Sequence, residues 1–164
     1  MLRKKALGDD YLILARSRAK LGKFKDAVDS FDKYLSSVKD PVPRVAGMIE
    51  KSDAQVGLKN WNAAEKTVKE GLNLASEGRY NGEFRVRAGD MEAGRGDTKE
   101  ALRIYETIPV TLDDENVSPL ALDRALALHT NLGNAADAKR VETLLRSEYP
   151  EYLQKKRDRK PDAK

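Results

Sequence analysis

A single histidine, His129, and no cysteine occur among 164 residues. That inventory excludes two-histidine metal sites, thiolate sites, disulfides and cysteine nucleophiles. A hydrolytic dyad built on His129 lacks an assignable nucleophile, and its place within a helical stretch gives it a packing or groove-lining role. Gly89 and Gly94 have the GxxxxG spacing of a phosphate loop. Arg95-Gly96 follows where Lys-Ser/Thr is required, however, and no strand precedes. The carboxylates fall on helical stretches with lysines four residues on, as Glu65 with Lys69; such pairs make a solvated face. Asn116-Val117-Ser118 is a formal glycosylation sequon, followed by Pro119 and read as incidental. The residues therefore point to a non-enzymatic protein with no cofactor and no metal.

One short motif offers recognition chemistry. Arg95-Gly96-Asp97, within RGDTKEAL (95–102), is an adhesion tripeptide, but the same residues also spell a glycine turn and a helix start. Spacing along the chain favours the turn. The motif LGKFKDAV (21–28) returns as LKNWNAAE (58–65), RGDTKEAL and LGNAADAK (132–139). Its alanines, Ala27, Ala64, Ala101 and Ala138, are 37 residues apart, as are Gly22, Lys59, Gly96 and Gly133 (64 − 27, 59 − 22). In the third copy the glycine ends one helix and Asp97 caps the next, with Glu100 completing a capping-box pattern. Adhesion stays open only because such a turn is exposed.

The elements around these turns are amphipathic helices. Seven residues before each turn stand Ala15, Ser52, Gly89 and Leu126; nine after it stand Phe31, Val68, Tyr105 and Glu142. Apolar residues at three- and four-residue steps on both sides predict two helices per unit. The spacing places helices near 9–21, 24–37, 43–58, 61–76, 81–95, 98–107, 119–132 and 135–147, with a last one from Pro150 to about 157. Ser118-Pro119 reads as an N-cap with proline behind it. The longest connection is expected from Thr107 to Ser118.

This pattern resembles the tetratricopeptide repeat, a helix–turn–helix unit of about 34 residues. Tyr11, Leu14, Ala15, Gly22, Phe24, Ala27 and Phe31 carry it in the first unit, and Met48, Ser52, Trp61, Ala64 and Val68 in the second. Gly89, Gly96, Ala101 and Tyr105 follow, then Leu122, Gly133, Ala138 and Pro150. Lys59 at a turn glycine, Glu142 at an aromatic position and a period three residues too long are departures. The resemblance implies an all-α, right-handed superhelical solenoid of about four repeats. It makes a single array over 1–164, with repeats near 8–41, 43–78, 81–109 and 118–149 and a C-terminal capping helix with a basic tail over 150–164.

It also implies a function: a scaffold that binds a protein or peptide on a concave face lined by the first helix of each unit. The implied lining includes Leu12, Arg16, Ile49, Asp53, Val56, Glu83, Val86, Arg87, Asp90, Asp123 and Asn131. Its excess of acids suggests a partner with basic residues and argues against nucleic acid. Of the positions at which one subgroup clamps chaperone tails, only Arg87 fits. The alternative is a self-assembling, architectural segment of a larger protein such as one of the bacterial cell envelope; the LLRSEYPEYLQKK ending resembles that of bacterial tetratricopeptide proteins.

Composition agrees. Charged residues make up 35% and aromatics 6%, and the net charge of +4 is a small excess, partly terminal. Arg3, Lys4 and Lys5 stand at one end, and Lys155, Lys156, Arg157, Arg159, Lys160 and Lys164 at the other. Such tails usually solvate a terminus. The apolar run Tyr11–Ala15 is too short to span a membrane, so no insertion is expected. Asp9 and Asp10 interrupt any signal-peptide core. The compartment stays open: cytoplasmic or, for a trimmed chain, the bacterial periplasm or envelope.

Overall fold

Four copies of one backbone turn organise the chain. The structure is a computed structural model that describes residues 2–158, with side chains from residue 8 onward. Arg159, Lys160 and Lys164 of the basic tail, and the side chains of Arg3, Lys4 and Lys5, lie outside the described residues. Among the described residues the protein is all helical. The helices are α1 (Leu2–Lys20), α2 (Phe24–Ser37), α3 (Pro41–Gly57), α4 (Trp61–Leu74), α5 (Gly78–Arg95), α6 (Thr98–Thr111), α7 (Val117–Asn131), α8 (Ala135–Glu148) and α9 (Pro150–Asp158).

The turns within α1–α2, α3–α4, α5–α6 and α7–α8 close in the same way. The amides of Lys23, Asn60, Asp97 and Asn134 donate to the carbonyls of Arg18, Gln55, Glu92 and His129 at 2.9, 3.0, 2.9 and 2.9 Å. The amide just before each donates to the carbonyl three residues back, as Gly22 to Ala19 and Gly96 to Ala93. This bond pair is the Schellman stop, and it needs a left-handed residue. Gly22, Gly96 and Gly133 supply it at φ of 70°, 93° and 74°, while Lys59 supplies it at 55° without being a glycine. Two following caps are side-chain bonded: Asn60 accepts from the Ala63 amide and Asp97 from the Glu100 amide. Glu100 turns to Arg103 instead of returning a bond, so only half of the expected capping box forms.

Two helices differ most from expectation: α1 begins at Leu2, seven residues before its expected start, and α6, expected to end near 107, runs through Pro109 to Thr111. Proline removes an amide and crowds the carbonyl four residues back. Two contacts hold the extra turn: Ile108 is fully buried, and Arg85 donates to the hydroxyls of Thr107 and Thr111. The expected long connection therefore shrinks to residues 112–116. Ser118 does not cap α7 either. Its hydroxyl donates to the Leu112 carbonyl, and Asp114 takes the capping role by accepting from the amides of Asn116 and Val117.

Packing follows a rule of complementary sizes. Where α2 meets α3, the Tyr34 ring lies against Gly47, so closely that any Cβ there would collide. At the equivalent α4–α5 contact the partners are exchanged: Gly71 lies under the Phe84 ring. The third pair is Ile108 and Ala121, both fully buried in one cluster. Inside hairpins, Ala15 shares a cluster with Phe31, and Gly89 lies against the Tyr105 ring. Trp61 is half-buried, its ring lying on Gly94 as Phe24 lies on Gly57. Large buried side chains thus find small ones opposite, the condition for close helix approach at near-crystalline density.

Consecutive helices pack on one another throughout, and α1 also touches α3, α3 touches α5, and α5 touches α7. Even-numbered helices make no comparable contact with each other among the described residues. The odd-numbered helices therefore form one continuous face.

Candidate functional site: the face of the odd-numbered helices

Charged residues on this face are joined from helix to helix. Arg16 on α1 makes a two-pronged bond to Glu50 on α3, both distances 2.7 Å. Asp53 on α3 is held the same way by Arg87 on α5 at 2.9 and 3.0 Å. Asp90 on α5 accepts from Arg124 on α7 at 3.0 Å and from the buried Tyr105 hydroxyl at 2.7 Å. Each cross-helix pair is 34 residues apart, one repeat less one turn, so the first member recurs at 16, 53 and 90 and the second at 50, 87 and 124. A fourth rung uses different positions: Lys156 on α9 donates to both oxygens of Asp123 on α7, at 2.5 and 2.6 Å, and the Tyr152 hydroxyl reaches the same carboxylate. Two-pronged guanidinium–carboxylate pairs fix geometry as well as charge.

Of the expected lining residues, Arg16, Asp53, Arg87, Asp90 and Asp123 are brought together as rungs. Glu83 belongs to the same cluster, bonded by Arg79 at 2.9 Å and lying 3.9 Å from Arg87. Leu12 and Val56 are half-buried between rungs, and Asn131 is exposed at the end of α7. Ile49 and Val86 are not on the surface. At 4% and 1% exposure they belong to the core, because each stands one residue before a rung (Glu50 and Arg87), a step that turns the side chain about 100° around the helix. Sequence reasoning passed over Glu50, Arg124 and Lys156. The signal that would have found the first two is an opposite charge 34 residues away from each lining charge.

The electrostatics follow from this pairing. Burial pushes the Asp53 carboxyl above its ordinary value, and Arg87 opposes that shift. Burial works against the Arg87 charge, yet Asp53 and Glu83 hold its pKa above the usual value. Half of the Asp53 side chain and about half of Arg16 and Arg124 remain accessible, so these pairs are partly screened by water and each is worth little in stability. Burial, then Asp90, raises the Tyr105 phenol, which stays a hydrogen-bond donor. The face carries as many bases (Arg16, Arg79, Arg87, Arg124, Lys156) as acids (Glu50, Asp53, Glu83, Asp90, Asp123). An acid count taken from the lining positions alone overstated its negative charge.

Other candidate chemistry resolves into packing. His129 is buried, its Nε2 3.2 Å from Glu106 and its Nδ1 3.4 Å from the Asn134 side-chain Nδ2, and Arg140 holds the same Glu106 at 2.6 Å. Among the described residues no three His, Cys, Asp or Glu side chains converge as metal ligands. No helix there is long and apolar enough to cross a membrane. The adhesion-like tripeptide is engaged internally: Arg95 bonds Glu65 and Glu92, and Asp97 caps α6. An open cleft of about 490 Å³ lies between α7, α8 and α9, where Leu126 and Glu142 replace the small residues and the apolar Phe31, Val68 and Tyr105 of the other hairpins. Compared with known proteins, the chain matches no family model and no curated protein.

Proposed function

We propose that this protein is a non-enzymatic interaction scaffold of the tetratricopeptide type, about four helical hairpins in a right-handed superhelix that binds a peptide along the face of its odd-numbered helices. The observation that supports this reading is the contact pattern: α1, α3, α5 and α7 touch in sequence and the even helices make no comparable contact among the described residues, as expected if the odd helices line the inside of a curve. That inner face is polar, half-exposed and held rigid by its rungs, so a peptide laid on it meets preorganised groups. Because the rungs balance acids against bases, the face has no physical basis for demanding a basic peptide. Alternating charge that matches the rungs, with apolar anchors near Leu12 and Val56, suits it better.

The test exchanges a rung without breaking it. Asp53→Arg combined with Arg87→Asp preserves the pair and reverses what the face presents. The thermal midpoint should hardly move, since exposed pairs contribute about 0–1 kcal/mol. Affinity for peptides selected on the wild-type protein should fall at least about tenfold, roughly 1.4 kcal/mol. Unchanged affinity places the binding surface elsewhere. A second reading, self-association, is favoured by one observation: Ile13 and Leu21 on α1 are 63% and 71% exposed.

A further inference from the structure

The internal register shows what the exposed side of α1 is built to do. In α3, α5 and α7 the stripe equivalent to Asp10, Leu14 and Ser17 packs on the preceding even-numbered helix, whereas the positions equivalent to Leu21 (Leu58, Arg95 and Leu132) stay exposed. Gly47 meets Tyr34 there, Phe84 meets Gly71, and Ala121 and Ala125 are fully buried. In α1 the same stripe is uncovered, Leu14 being 40% exposed. Ile13 stands where Glu50, Arg87 and Arg124 receive their ladder partners. An interface position used three times inside the molecule is thus apolar and vacant on α1. The other end of the array is closed: α9 packs on α8, Leu145 is fully buried, and Lys156 occupies Asp123.

We infer that the outer face of α1 is the contact surface of a homodimer, in which two α1 helices pack antiparallel about a two-fold axis near residues 14–17. The inference rests on the self-association reading and is independent of peptide binding. Charge selects the occupant. Asp9 and Asp10 are exposed at one end of the stripe and Lys20 at the other, and none of the three has an ion-pair partner among the described residues. An antiparallel second copy sets each acidic end against the other copy's lysine, with Ile13 and Leu14 at the centre. A parallel copy would set like charges together. Head-to-tail stacking would grow into a filament, but the far end is covered by α9, so association stops at two.

Sedimentation equilibrium over a concentration series tests this. The wild-type chain should convert from monomer to dimer as concentration rises and go no further. Ile13→Glu with Leu21→Glu should hold it monomeric at every concentration tested, with circular dichroism and thermal midpoint unchanged. Asp10→Lys or Lys20→Asp alone should weaken the dimer several-fold, and the two together should restore it. Because the chain has no cysteine, Ser17→Cys gives a clean crosslinking probe, expected to trap a covalent dimer where Lys25→Cys does not. A wild-type chain that stays monomeric overturns self-association and this interface together. A dimer that survives the double glutamate variant, or no rescue by the charge exchange, overturns the α1 interface while self-association stands. Higher oligomers overturn the closed arrangement.

Discussion

Lys59 is the residue at which the repeating turn departs from its own rule. Its φ of 55° is left-handed, a region that costs a residue with a Cβ about 1–2 kcal/mol. Glycine gives back roughly 0.5–1 kcal/mol of that through the greater freedom of its unfolded chain. Lys59→Gly should therefore stabilise the protein by up to about 1 kcal/mol, seen as a raised denaturant midpoint at constant slope. Gly71 presents the opposite case. Alanine there improves helix propensity by about 1 kcal/mol, but its Cβ would collide with the Phe84 ring. Overpacking of this kind costs about 1–3 kcal/mol. Gly71→Ala should destabilise the native chain and become neutral or stabilising in a Phe84→Ala background, a coupling that a double-mutant cycle measures directly.

At the scale of helices, the alanines after each turn decide how closely a hairpin closes. Ala27, Ala64 and Ala101 are fully buried, while Ala138 is only half-buried. Leucine at any of the first three should lower stability by about 1–3 kcal/mol, whereas Ala138→Leu should cost well under half as much. Equal losses at all four sites in thermal denaturation would show that the fourth hairpin is as tightly closed as the rest. Glu65 links α4 to the end of α5. Hydrogen bonds from Lys69 and then Arg95 hold its carboxyl at about 2, below the ordinary 4.5. Between those values the unfolded chain binds more protons than the folded one, so stability rises with pH there. The contribution is complete above about 4.5 and disappears as pH falls toward 2. Glu65→Gln should flatten this part of the stability–pH curve, and carboxyl NMR titration should place the Glu65 midpoint well below that of other glutamates. Asp53 runs the other way: its raised pKa makes its ionisation unfavourable to folding, so protonation as pH falls relieves a penalty.

For the molecule as a whole, charge pairing between odd helices suggests a graded response to salt. The rungs are partly exposed, so about 1 M salt, with a screening length near 3 Å, should leave the fold intact and shift stability by no more than about 1 kcal/mol. The proposed peptide association should respond more strongly, mainly through its on-rate. A loss of helical signal in high salt would mean that the ladder, not the core of complementary large and small residues, holds the array together.

How far the sequence alone determined this protein can be judged from particular residues. The 37-residue step, the turn glycines and the small–large alternation depend on local chemistry: a Schellman stop needs a left-handed residue, and a helix crossing needs a small one. Seven of the nine expected helices accordingly lie within three residues of the observed ones, while α1 begins at Leu2, seven residues before its expected start. The run of α6 beyond Pro109 was decided by the burial of Ile108 and by Arg85 of α5, tertiary contacts that outweigh a local breaker. The candidate site was legible as a set of positions but not as a charge state. Asp53, Asp90 and Asp123 read as free acids until folding set Arg87, Arg124 and Lys156 against them. Likewise, Ile49 and Val86 share a helix with the rungs, yet they are turned into the core. Residue type and period set which groups each helix carries; which groups meet, and which remain facing water, depends on the rotation of one helix against the next, and only tertiary packing sets that.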